Sequence, residues 1–557
     1  MTKLVLLSIL AVTAALPAAF SAREKAAAAR ISARTLSAHI GYLSDDLLEG
    51  RAPASRGSEL AMRYIAAQYE RLGLTPAGDD KGWLQHFDIV GLTSEVVTPI
   101  TVTAGGKSLS IQPYAESVLA PGLQSEAMAI RDAEVVFVGY GITAPEQKWD
   151  DWKDVDVRGK VVMVMNNDPE SDPQLFAGKT RLYYGRWDYK YAEAARHGAA
   201  GVIIIHTEPS AGYPWQVVQS SWSGQSFELP ANGDPRVTLR MWTTEDASRR
   251  IAKLGGRDLD ELRRSAEKRE FKPVSLGVKL SAALKVKLEK VRTANVLGML
   301  PGSDPKLKAE VVVVTAHHDH LGVRAAAKGS DKIFNGALDN ASGVAAILNV
   351  AEAITAVEPR PKRSILFAAV AAEESGLLGS EYFCKHPVVA PGRMAANLNI
   401  DGLQIWGRAS DIGFVGFGKS SLDDVVVGVA RAQKREVTPD EMPEKGGFYR
   451  SDQFNFARIG VPAMYLKAGV RHPGHDAQWG KDLHEHFTKE RYHQPSDQLD
   501  ATWSFDGAVD DVQLMTVALM RIADAPKMPD WKRGDEFEAP RLKALKDLAS
   551  TAAPPRP

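Results

Sequence analysis

Val311-Val-Val-Val-Thr-Ala-His317 decides the fold of this chain. A run of apolar or small residues that ends on an imidazole reads as a buried strand delivering a polar group at its carboxyl end. Two further runs end the same way. Ser364-Ile-Leu-Phe-Ala-Ala-Val-Ala-Ala372 runs into Glu373 and Glu374, and Ala395-Ala-Asn-Leu-Asn-Ile400 runs into Asp401. Between the first two lies Asn335-Gly-Ala-Leu-Asp-Asn-Ala-Ser-Gly343, a Gly/Asn loop that carries Asp339 and opens a helix. In a parallel α/β sheet, ligands collect outside the carboxyl ends of the strands, so polar residues far apart in sequence can converge there. His317, Asp339, Glu374, Asp401 and the later His493, with Glu373 beside them, form a donor set suited to a pair of divalent cations performing hydrolysis.

Outward from these strands, residues 291–525 alternate strands and helices. That pattern predicts an α/β fold with a mainly parallel mixed sheet flanked by helices on both faces. Helix 342–356 has Asn340 and Ser342 near its start, both good capping residues. Upstream, residues 26–47 read as a helical opening, 48–57 as a loop and 58–72 as an amphipathic helix stopped by Gly73. Residues 83–103 and 109–119 read as short strands. A second, β-rich unit is expected over 124–290, with long loops at 168–186 and 207–233, where aromatic residues, Gly and Pro concentrate. Residues 526–557 read as a tail with one short helix and a mobile Pro-rich end.

The chain has 557 residues, too many for one ordinary core. Its net charge is −1, with 68 Lys and Arg against 69 Asp and Glu, so no basic footprint points to nucleic acid. Lys3, the apolar stretch Leu4 to Leu16 and the small residues Pro17 to Ala22 read as a signal peptide, residues 1–22, cleaved near Ser21 or Ala22. The expected protein is exported, periplasmic or secreted in a bacterium, with no membrane span after cleavage. Cys384 is the only cysteine, so no internal disulfide can form; it reads as a small buried hydrophobe.

The residues also suggest a division of labour. Metal-bound histidines give their second ring N–H to a carboxylate, and Asp319 is placed to receive it from His317. His318 and His320 are alternative ligands, but on a strand His318 points away from His317. Asp339 is the candidate bridge, since a carboxylate can offer one oxygen to each cation. Of the adjacent Glu373 and Glu374, one can ligate while the other accepts a proton. Tyr492, beside His493, could donate to an oxyanion.

Six segments then carry a family resemblance: Ala316-His-His-Asp-His-Leu-Gly322, Asn335 to Gly343, Ala372-Glu-Glu-Ser-Gly-Leu-Leu-Gly-Ser380, Asn399-Ile-Asp-Gly402, Ser451-Asp-Gln-Phe454 and Tyr492-His-Gln-Pro-Ser-Asp497. In this order they resemble the co-catalytic zinc aminopeptidase family, which includes bacterial leucine-type aminopeptidases, aminopeptidase Y, glutamate carboxypeptidase II and the transferrin receptor. Residues 124–290 more loosely resemble a protease-associated domain inserted into the peptidase fold, with residues 23–123 as its N-terminal part. The resemblance implies two zinc ions, with manganese or cobalt also accepted. His317, Asp339 and Asp401 would hold one ion and Asp339, Glu374 and His493 the other. Glu373 would be the base toward a water shared by the ions, and Tyr492 the oxyanion donor. Peptides would be the substrates. A carboxypeptidase or dipeptidase of the same clan would instead need a basic clamp such as Arg450 or Arg471. A glutaminyl cyclase relative would use one zinc, and a receptor-like binding protein would lack activity. Trp406, Phe448, Tyr449 and Tyr465 are candidates for an apolar side-chain pocket.

Overall fold

The computed structural model describes residues 19–97, 99–325 and 329–552. The core sheet runs, in spatial order, from the long strand Val274–Leu300 through Ser364–Val370, Val311–His317, Met394–Asn399 and Ala463–Lys467 to Asp411–Val415 and Glu436–Pro439. The strands from Ser364–Val370 to Ala463–Lys467 are mutually parallel, while the long strand and Asp411–Val415 join antiparallel. The sheet is therefore mixed, with a parallel centre, as expected. Alternation of side chains explains why the apolar runs are continuous. Val312, Val314 and Ala316 face one core with helices Ala33–Leu43, Arg56–Arg71, Ser342–Thr355 and Asp506–Asp524. Val311 and Val313 face the opposite core with Phe383 and Phe456. Both faces are dry, so every position of the strand must be apolar.

The helical opening divides. Helix Ala22–Ala28 is capped by Ser21, and Ala33–Leu43 by Ser32. A serine that accepts from a backbone N–H two or three residues on starts a new helix rather than continuing the old one. The residues read as a signal peptide lie outside the described residues up to position 18; Ala19 to Ala22 fall within them. No helix among the described residues is long and apolar enough to cross a membrane.

The expected short strand at 83–103 is in fact Leu84–Val96, which pairs over thirteen positions with the long strand. That 27-residue strand runs unbroken from the inserted unit into the core sheet. Strands Ile100–Ala104 and Ser117–Pro121 also pair with strands of the inserted unit. The join is thus a continuous hydrogen-bonded ladder, not a linker. The 207–233 stretch, expected as loop, holds helix Trp215–Ser221 and strand Gln225–Glu228, the latter paired with Leu84–Val96.

The C-terminal stretch is anchored over its described part, and the Pro-rich end expected to be mobile, residues 553–557, lies outside the described residues. Helix Glu538–Ala552 docks through Arg541, which is 2% exposed and donates to the Met394 carbonyl. Trp531 donates to the Gly460 carbonyl. The Pro-rich composition of the last residues hid these two anchors. Cys384 is half-buried in helix Leu378–Lys385, and burial pushes its thiol well up.

Candidate functional site

The strand ends and the Asp339 loop meet at one point. His317 Nε2 lies 3.2 Å from Asp339 Oδ1 and 3.4 Å from Asp401 Oδ1. His493 Nε2 lies 3.1 Å from Asp339 Oδ2 and 3.0 Å from Glu374 Oε2. Asp339 therefore turns one oxygen to each imidazole. Glu373 Oε2 stands 3.9 Å from His317 Nε2, on the His317 side, whereas Glu374 faces His493.

The donor set fits divalent cations. His317 Nε2 is buried and makes no hydrogen bond, although three carboxylates surround it. It is aimed at the space between their oxygens, as a ligand lone pair would be. Two groups of donors lie close enough to share an ion around Asp339: His317, Asp339 and Asp401, and His320, Asp339 and Glu374. The electrostatics agree. Burial lowers the pKa of His493, but Glu374 and Asp339 outweigh it and push the ring up to about 10. Burial raises Glu373 well above the usual carboxylate range; His317 opposes this, and Glu374, Asp401 and Asp452 reinforce it. So much negative charge in one place draws protons onto its neighbours when no cation offsets it.

Several residues hold this geometry from behind. Asp497 accepts from the Leu338 and Asp339 amides at 3.0 and 3.1 Å, fixing the Asp339 loop. Asn340 ties two ligand loops together, donating to the Ile400 carbonyl and accepting from the Gly343 and Gly402 amides. The N-cap position itself is Ala341, without a side-chain cap; Asn340, one residue earlier, receives the Gly343 amide and acts as a clamp, while Ser342, expected to cap, lies inside the helix and donates to the Leu338 carbonyl. Arg51 is buried beneath the cluster and donates to the carbonyls of Leu43, His318, Asn335 and Gly336. Burial lowers its guanidinium to about 10, while Asp319, Asp497, Asp339 and Glu374 act to keep it charged. Sequence reading placed Arg51 in an unremarked loop; nothing local distinguishes it from a surface arginine.

Asp319 acts through a different atom than expected. His317 Nδ1 is 3.2 Å from the Asp319 backbone carbonyl and 3.7 Å from its carboxylate. The carboxylate instead accepts from the Glu373 amide at 3.1 Å. The chain turns after His317, which carries the carboxylate to the amides of the glutamate pair. His318 points away, to the Ala294 carbonyl at 3.1 Å, as the strand alternation required. His320 is closer to the cluster than expected, its Nδ1 2.6 Å from Glu374 Oε1.

Above the cluster is a cleft of about 270 Å³. Glu373, Glu374, Tyr492 and His493 line its floor; Trp187, Tyr213, Trp222 and Phe227 of the inserted unit line its walls. The residues expected to form an apolar pocket are elsewhere. Phe448 and Tyr449 are packed against Phe454, Trp531 and Phe537, Trp406 rests on His484, and Tyr465 is buried. None of the four lines this cleft. Of the two proposed basic clamps, Arg450 lines the cleft and Arg471 is paired with Glu436 away from it. The inserted unit also touches the cluster itself: Ser221 Oγ is 2.9 Å from His493 Nδ1. The concentration of aromatic residues in 207–233 was the available signal for this wall.

Comparison with known proteins agrees with the fold. Residues 295–517 match the profile of Peptidase family M28. Aminopeptidase NAALADL1 of Rattus norvegicus is 26% identical over 243 residues, 35% of this chain and 30% of that protein. Leupeptin-inactivating enzyme 1 of Streptomyces exfoliatus is 26% identical over 267 residues, 47% of this chain and 53% of that protein. The chain thus spans about half or less of the curated relatives it matches. An aminopeptidase structure from Aneurinibacillus sp. strain AM-1 covers 91% of this chain and 97% of its own, with a TM-score of 0.52 at 19% identity; this likeness speaks to the fold.

Proposed function

We propose that this chain, a peptidase family M28 protein over residues 295–517, is an exported two-metal aminopeptidase that removes N-terminal residues from peptides. The observation that carries the reading is the split of Asp339, one oxygen toward His317 and the other toward His493. In this reading His317, Asp339 and Asp401 would hold one zinc ion, and Asp339, Glu374 and His493 the other; carboxylate-rich sites also accept manganese or cobalt. When bound, the ions supply Lewis-acid polarisation of the scissile carbonyl and acidify the attacking water.

The chain's own residues do the rest. Glu373 belongs to neither ligand set and faces the cleft. It takes the proton of the water and passes it to the leaving amine. Its Oε2 stands 3.9 Å from His317 Nε2, at the edge of the cluster, where it can reach a water held there. Tyr492 lines the cleft beside His493 and donates to the oxyanion. Asp401 has the most exposed side chain of the cluster carboxylates, 20% against 11% or less for the others, and can pair with the substrate α-ammonium. Export is supported by Lys3 followed by the apolar stretch Leu4 to Leu16.

The test joins substrate and metal. Leucine p-nitroanilide is hydrolysed and its N-acetyl form is not; hydrolysis of both equally, or of neither by metal-loaded protein, overturns the reading. Purified protein carries two ions per chain, and Asp339→Asn loses both together. Loss of a single ion from that variant overturns the bridge.

A further inference from the structure

Four arginines line the cleft: Arg186, Arg240, Arg324 and Arg450. Two have carboxylate partners, Arg186 with Asp188 at 3.0 Å and Arg240 with Glu228. Arg324 and Arg450 have no ion pair among the described residues. Arg450 is held in place otherwise, donating to the Ala211 carbonyl and lying 5.1 Å above the Tyr213 ring. Arg324 is the less satisfied of the two. Its Nε donates to the Leu321 carbonyl at 2.9 Å, but its Nη1 is shut off from solvent without any hydrogen-bond partner.

The inserted unit makes room for this group. At Gly224, a Cβ would lie 2.8 Å from Arg324 Nη1, and φ there is +77°, a conformation that favours glycine. The backbone of the 224 turn therefore packs directly on the guanidinium. Glu374 shares the cleft with Arg324, but its oxygens already face His493 and His320. Nη1 is thus covered by the 224 turn, while the rest of the guanidinium lines the cleft with no carboxylate of its own among the described residues, a charge that an anionic ligand in the cleft would pair. A guanidinium N–H to a carboxylate is a charge-assisted bond, about twice as strong as a neutral one.

We propose that Arg324 is a carboxylate-binding subsite for the substrate, with Arg450 adding a second positive charge to the same cleft. This rests on the aminopeptidase reading and deepens it: the preferred substrates are short peptides that carry a carboxylate into a cleft of about 270 Å³. The carboxylate is either the C-terminus of a di- or tripeptide or the side chain of an acidic residue at the cleaved end.

The experiment uses metal-loaded protein and matched substrates. Leu-Gly is compared with Leu-Gly-amide to test the C-terminal source, and glutamyl with glutaminyl p-nitroanilide to test the side chain. In at least one pair the carboxylate form is favoured in kcat/KM by about 10- to 100-fold, the strength of a charge-assisted hydrogen bond. In Arg324→Gln that preference collapses, while the neutral member of the pair stays within a few-fold of wild type and metal content is unchanged. Equal rates within both pairs in the wild-type protein overturn the subsite and leave the peptidase reading standing. So does a variant that slows neutral and charged substrates alike. Hydrolysis of none of the four overturns both.

Discussion

The core strand ends and the inserted unit both reach His493, but they hold it in different ways. On the core side, each cluster residue is fixed by buried partners: Asp497 behind Asp339, Asn340 between the Asp339 and Asp401 loops, Arg51 beneath them all. On the inserted side, among the described residues, one hydrogen bond reaches the cluster itself, Ser221 to His493, within a wall of aromatic rings. The difference teaches a division of work. In the proposed peptidase the core would set the chemistry, and would need rigidity, because a displaced ligand or base loses most of its effect. The inserted unit would set what may enter, which apolar walls and a single guiding contact can do.

The sharpest way to break this contrast is at Glu373. Glu373→Gln removes the base and leaves the proposed ligands in place. Turnover falls by about 10²- to 10⁴-fold with both ions retained. Near wild-type kcat in a fully metal-loaded variant assigns the proton transfer to another group.

Ser221→Ala comes next. If the inserted unit orients His493, losing this bond weakens the ion held on the His493 side by about 10- to 100-fold, the usual cost of deleting the partner of a metal-bound histidine. Chelator competition measures it, and Ser221→Thr restores it. An unchanged metal affinity means that the inserted unit is a wall and nothing more.

The smallest effect lies far from both regions, where Glu24 joins the first helix to Arg521 on helix Asp506–Asp524. Burial acts to raise the Glu24 pKa, but Arg521 and Ser21 outweigh it and hold the carboxyl below its usual range. A carboxyl held low in the folded state stabilises above its unfolded value, near about 4.3, and loses that contribution as pH falls through the folded value. Glu24→Gln in the uncleaved chain, which keeps Ser21, therefore costs about 1 kcal/mol at neutral pH and nothing well below pH 4. Denaturant midpoints across that range test it; a gap that widens on acidification reverses the assigned sign. Activity is unchanged, which separates this contact from those around the cluster.

Much of the core was legible because its signals are local. An apolar run that ends on His317, Glu373 or Asp401 states both the strand and the position of its polar end. The alternation rule alone turned His318 away from His317, and it lies against the Ala294 carbonyl. What failed was whatever depended on a distant partner. Arg51 reads as a surface residue until Asn335 and Gly336 are brought onto it, more than 280 positions away. Phe448 and Tyr449 read as pocket walls until Trp531 and Phe537 cover them.

By itself the sequence determined the parallel centre of the sheet and the polar strand ends at His317, Glu373, Glu374 and Asp401, each from the pattern within a few neighbouring positions; Asp339 and His493 lie in loops, and the family resemblance joined them to the set. Only the tertiary structure decided what faces that rim. Ser221 stands 272 positions from His493, and no local periodicity reports a contact at that distance. The ladder between Leu84–Val96 and the 27-residue strand sets the inserted unit over the cleft. Strand pairing of that kind depends on backbone hydrogen bonds common to every residue, so side-chain identities reveal it poorly.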